Sequence, residues 1–87
     1  MNLRQLIIAF LSPRHPAVYT EQTITQRVNA SPMSDSRHTP EQVFDTLRAL
    51  KKLGLVDLSV DTLDNATYWG ATEEGMKRWT MDGRMTV

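Results

Sequence analysis

The residues whose chemistry stands out in this sequence are Gln42, Arg48 and Lys52, which fall within a stretch of helical periodicity. A glutamine carboxamide matches the donor and acceptor of adenine, and arginine or lysine can meet guanine or phosphate. On a helical wheel Val43, Leu47, Leu50 and Gly54 centre a buried face, so Glu41, Gln42, Asp45, Arg48, Ala49 and Lys52 point outward. Glu41 and Asp45 work against a phosphate partner by like charge, and an acid there helps only when aimed at a cytosine amino group. The competing reading is a solvated helix face of ordinary mixed charge.

Other chemistries are poorly served. There is no cysteine, which removes disulfides, thiolate metal sites and thiol nucleophiles together and suits a reducing cytoplasm. His15 and His38 are far apart and lack acidic or histidine partners at ligand spacing, so no metal is expected. His15 is taken as a loop residue and His38 as solvent-exposed near a helix start. No Ser/His/Asp constellation or glycine-rich phosphate loop appears, so neither an enzyme nor a cofactor is expected.

At 87 residues the chain supports one core and not two, so residues 1–87 are expected to form a single domain. Hydrophobic residues at 40% and charged residues at 23% are ordinary for a globular chain and argue against disorder. The apolar run 6–11 is six residues long, against roughly 20 needed to cross a bilayer, so no membrane partner is expected. Ser12, Pro13 and Arg14 follow that run where a secretory signal would place small residues for cleavage, so the N-terminus is expected to be retained. Ten Lys and Arg balance ten Asp and Glu, which counts against nucleic acid unless charge is locally concentrated.

These side chains need a scaffold, and the periodicity supplies one. Leu3, Leu6, Ile7, Phe10 and Leu11 give a first helix that Pro13 and Pro16 end, leaving an extended connection through Ala17 and Val18 to Thr20. Thr20 caps a second helix running to about Ala30, with Ile24 and Val28 as its narrow apolar stripe. Residues 31–38 are dense in turn-formers and read as a loop. Thr39 as cap, Pro40 in the first turn and Glu41 and Gln42 behind them start a third helix over 40–53, closed by Gly54. Alternation in Leu55, Val56, Leu58 and Val60 then marks a strand, 63–65 a turn, and Ala66, Thr67, Tyr68 and Trp69 a return strand. Thr72 opens a short fourth helix toward Trp79, and 80–87 is unassigned.

Two stretches, VFDTLRALKKLGLV over 43–56 and YWGATEEG over 68–75, resemble the winged helix-turn-helix family. The nearest likeness is to small arsenic-repressor-like proteins of Mu-like phages and prophages, which also begin with a short apolar helix and end soon after the wing. The resemblance implies an α+β, mostly α fold: three helices, a two-stranded β-hairpin wing and a short C-terminal helix. The loop over 31–38 is longer than the family's usual tight turn, and the missing cysteine means that no metal response carries over.

By that resemblance the third helix enters the major groove of double-stranded DNA. Arg37, His38, Thr39, Gln42, Asp45, Thr46, Arg48, Ala49 and Lys52 become candidate DNA-binding residues. Arg37, His38, Arg48, Lys51 and Lys52 would gather positive charge at both ends of that helix, with Arg27 adding to it. Lys51 and Lys52 serve equally well as complements to the helix C-terminus. The implied function is a transcriptional regulator of phage, prophage or bacterial type. It is expected to be cytoplasmic and to act as a homodimer paired through the apolar first helix or the stretch from Trp79 onward. The wing, with two acids and no Lys or Arg over 61–65, is poorly equipped for a minor groove. It favours the alternative, a protein-interaction or assembly module on the same scaffold. Trp69, Tyr68 and Trp79 are expected in the core rather than as stacking platforms.

Overall fold

The computed structural model describes residues 2–34 and 36–81. Helix α1, Leu3–Leu11, begins with a reciprocal cap. The Asn2 side chain accepts from the Gln5 N–H at 2.9 Å, and Gln5 Oε1 accepts from the Asn2 N–H at 3.1 Å. Its apolar stripe buries Leu6, Ile7, Ile8 and Leu11. The prolines end it through a 3-10 turn, Ser12–Arg14, after which the chain extends into strand β1, Tyr19–Thr20.

Thr20 Oγ1 accepts from the Thr23 N–H and starts α2, Glu21–Ala30. Ile24 and Val28 are buried as the spacing predicts, and Thr25 joins them. Its hydroxyl donates to the Glu21 carbonyl at 2.8 Å, so this polar side chain is buried without an unmet hydrogen bond. Helix α3, Pro40–Lys52, buries Val43, Leu47 and Leu50. It closes as the glycine signal requires. Gly54 sits at φ 78°, its N–H bonds the Lys51 carbonyl, and the Leu55 N–H reaches the Leu50 carbonyl, both at 3.0 Å. Leu50 and Leu55 are both buried and complete this Schellman motif.

Strands β2, Val56–Val60, and β3, Thr67–Ala71, form the expected antiparallel hairpin, with Asn65 taking the left-handed turn position at φ 59°. The sheet has a third strand that the sequence does not announce: the order is β1-β3-β2, and Tyr19 and Thr20 pair with Trp69 and Tyr68. Two residues are too few for alternation to register, so the extended connection is legible in the sequence and its pairing is not.

Helix α4, Glu73–Met81, is fastened to the exit of α3 by the threonine and glycine of its opening turn. Thr72 Oγ1 donates to the Gly54 carbonyl at 2.6 Å and accepts from the Gly75 N–H at 3.0 Å, while the Thr72 N–H reaches the Leu55 carbonyl at 3.1 Å. A Cβ on Gly75 would run into that same Leu55 carbonyl. The unassigned stretch 80–87 thus enters α4 as far as Met81, and 82–87 lies outside the described residues. Among the described residues no helix is long and apolar enough to cross a membrane.

Gly75→Ala sets two effects against each other. Alanine is the better helix former by about 1 kcal/mol, whereas forcing an atom into a closed backbone contact costs about 1–3 kcal/mol. The expected outcome is a net loss, seen as a lower urea midpoint; an unchanged or higher midpoint would refute the close approach of α4 to Leu55.

Candidate nucleic-acid interface

The outward face of α3 is built from the core upward. Trp69, on the central strand, is fully buried, and the Phe44 ring meets it edge-on with centroids 6.1 Å apart and planes at 79°. The Arg48 guanidinium lies over the Phe44 ring, 5.7 Å from its centroid. Two ring contacts therefore connect the centre of the sheet to an exposed cation and restrict the rotamers Arg48 can sample.

Around Arg48 the predicted outward set is largely as the wheel places it. Glu41, Gln42, Asp45 and Lys52 are exposed, Ala49 of that set is half-buried, and so is the further candidate Thr46. Some of their hydrogen-bonding capacity is already committed. Gln42 Oε1 accepts from the Thr39 N–H at 2.9 Å, and Thr39 Oγ1 accepts from the Gln42 N–H at 3.2 Å. The helix cap thus draws on the amide oxygen that bidentate reading of adenine would use. The Thr46 hydroxyl donates to the Gln42 carbonyl at 2.8 Å, which leaves its oxygen as an acceptor.

The loop over 31–38 replaces a tight turn with a side-chain clamp. Asn29, near the end of α2, accepts from the His38 N–H through Oδ1 at 2.8 Å and donates through Nδ2 to the His38 carbonyl at 2.9 Å. One carboxamide holds both backbone groups of the residue that precedes the α3 cap. Within the loop the Ser34 N–H reaches the Ser31 carbonyl, and the Ser34 hydroxyl donates to the Ser36 carbonyl at 2.7 Å. Nothing in the spacing of Asn29 signals this role, because the contact spans nine residues. His38 is half-buried in consequence, not solvent-exposed as its neighbours suggest.

Gln22, Gln26 and Asn29 of α2 face Arg37, His38 and Thr39 across a groove of about 720 Å³. Arg37 and Arg48 are both exposed. Arg27 does not line this groove: it borders a second depression with Phe10, Met33 and Trp79, beside α1. Arg37 thus lines the groove, whereas Arg48, Lys51 and Lys52 are exposed along α3 outside its lining.

The hairpin differs in sign. The Tyr68 hydroxyl donates to Asp64 Oδ2 at 3.2 Å. This hydrogen bond and the charge of Asp64, with lesser contributions from desolvation and Asp61, hold the phenol above its usual pKa. Trp69 is core as expected, and Trp79 is half-buried against the same cluster. His15 is a loop residue whose ring is tied to the sheet, its Nδ1 donating to the Ala71 carbonyl at 2.8 Å. Among the described residues no three His, Asp or Glu side chains gather as metal ligands would.

With this geometry in hand, the chain is comparable to several solved structures. It is similar to a mutant of Lactococcus lactis ZitR, with TM-score 0.73, 18% identity, and 95% of this chain covering 50% of that one. It is also similar to Staphylococcus aureus MepR, described as a transcription regulator of the multidrug efflux pump MepA, with TM-score 0.69 and 21% identity over 88% of this chain and 50% of that one. A MepR–DNA complex gives TM-score 0.71 and 22% identity, with 88% and 56% of the two chains covered. The chain thus spans about half the length of the structures it matches, and the likeness is one of fold, the winged-helix arrangement. No protein-family model and no curated protein matches the chain.

Asn29→Ala removes both clamp bonds and leaves two backbone groups of a half-buried residue without them. At about 1 kcal/mol for each bond the expected loss is about 2 kcal/mol, measured by denaturant unfolding. Asn29→Asp keeps the acceptor but sets a carboxylate oxygen against the His38 carbonyl, so it too should lose stability. Equal stability of all three forms would show that the clamp does not hold α3.

Proposed function

We propose that this chain binds double-stranded DNA by laying α3 in the major groove, as a transcriptional regulator of phage, prophage or bacterial type. The observation that carries the reading is the outward face of α3. There Arg48 is seated on Phe44, Gln42, Asp45 and Lys52 are exposed beside it, and Arg37 is exposed just before the helix. The likeness in fold to regulators that include a DNA complex supports it. The phage setting rests on the sequence resemblance, and a cytoplasmic location follows from the function.

Roles divide by chemistry. Arg48, with its planar fork, is suited to a guanine edge, and Lys52 and Arg37 to phosphates flanking the groove. Asp45, an acceptor only, is suited to a cytosine amino group and is repelled by phosphates. Thr39, Thr46 and Ala49 supply short side chains that let the helix approach, and His38 sets where it begins. The active form is a homodimer, which would space two copies of α3 about one turn of DNA apart, roughly 34–36 Å.

The test is fluorescence anisotropy of labelled duplex DNA at about 50 mM and about 200 mM salt, the range over which phosphate contacts reveal themselves. Binding is expected to weaken steeply across that range. Lys52→Ala should lower the salt slope by about one, while Arg48→Ala should cost about 1–3 kcal/mol on a selected site. Absence of binding at the lower salt would refute the proposal.

A further inference from the structure

Strand β2 is an edge. In the order β1-β3-β2 it has β3 on one side, and among the described residues no strand lies along the other. The ladder fixes which groups face outward. The Asp61 N–H bonds the Ala66 carbonyl and the Thr72 N–H the Leu55 carbonyl, so in this register the backbone groups of Asp57 and Ser59 turn toward β3. Those of Leu58 and Val60 turn away from the sheet. The Leu58 N–H on that open side is met at 2.8 Å by the adjacent carboxylate, Asp57 Oδ1.

Beyond the buried Val56, the apolar side chains on one face of this edge are exposed. Leu58 is 37% exposed, Val60 57%, and Leu63 at the hairpin tip 94%. Charge is also partitioned. Over 53–76 there are five acids, Asp57, Asp61, Asp64, Glu73 and Glu74, and no Lys or Arg, so all ten basic residues lie elsewhere. The zero net charge is a sum of two regions of opposite sign.

An extended segment pairing with this edge must offer backbone donors and acceptors, apolar side chains for Leu58 and Val60, and cations for the acids. A second copy's β2 fails the last requirement, because antiparallel pairing of Leu58 with the other copy's Val60 would set Asp57 of each copy against Asp61 of the other. We propose that the outer edge of β2 is a strand-addition site for a basic segment of a partner protein in which apolar residues alternate with Lys or Arg. Asp57 occupies the Leu58 N–H in the free chain, guarding the edge against self-association, and turns to an incoming cation when the strand arrives. The site is separate from the outward face of α3 and does not depend on DNA binding.

The probe is a peptide of about ten residues, a strand's length, alternating Val and Lys. It is titrated into the isotope-labelled chain while amide shifts are followed. Shifts concentrated at Leu58 and Val60 are expected. Affinity should fall at least about tenfold in Asp61→Lys/Asp64→Lys, roughly 1.4 kcal/mol, with the fold of that variant verified by its unfolding midpoint. The same peptide with alternate backbone nitrogens methylated should not bind, and neither should one with Glu in place of Lys. Undiminished binding of the methylated peptide, shifts centred away from β2, or no binding of the Val/Lys peptide would each overturn the proposal.

Discussion

The contact between Phe44 and Trp69 ties the sheet to the helix that carries the candidate interface. Trp69 lies on β3, which pairs with both other strands, and its ring is buried to 1% exposure. Among the described residues its Nε1 has no hydrogen-bond partner. An unmet donor costs about 1–3 kcal/mol. Burying an indole removes on the order of 200 Å² from water, worth about 5 kcal/mol at about 25 cal/mol per Å². Packing outweighs the lost hydrogen bond, and the ring stays inside. Phe44 then takes its angle from Trp69, and Arg48 takes its position from Phe44.

A helix anchored along one face still needs its ends fixed, and different devices do this. At the start of α3 a capping box closes the first turn, and Asn29 pins the residue before it to α2. At the end, the left-handed Gly54 turns the chain so that Leu55 returns to the core, and Thr72 binds that turn to α4. The long loop between α2 and α3 is tolerated because its closing residue is held by a carboxamide nine residues earlier in the chain. Loop length adds little entropy cost beyond closure itself, so a clamp worth a few kcal/mol can replace a tight turn.

Local signals account for what is legible in the sequence. Threonine caps, Pro40, Gly54 and the switch from helical to alternating periodicity each act within about four residues, and they place the hairpin and the four helices closely. The glycine of the Thr-x-x-Gly motif can be named from sequence but not explained, since the atom it must avoid belongs to Leu55, twenty positions earlier. The same limit hides β1, the Asn29 clamp, the bond from His15 to the Ala71 carbonyl and the place of Arg27 beside α1. Each depends on how elements dock. The outward residues of α3 are legible because a wheel is enough to sort them, whereas the seat of Arg48 on Phe44 needs side-chain geometry.

Charge gives the molecule two unlike surfaces: exposed cations before and along α3, and an acidic hairpin with an open apolar edge. The most direct test of DNA binding through α3 is amide chemical-shift mapping of the isotope-labelled chain with a short DNA duplex. Changes are expected at Arg37, Gln42, Asp45, Arg48, Ala49 and Lys52, with the outer edge of β2 unmoved. Changes confined to the hairpin or to α1, or an α3 that stays silent while DNA binds, would contradict it.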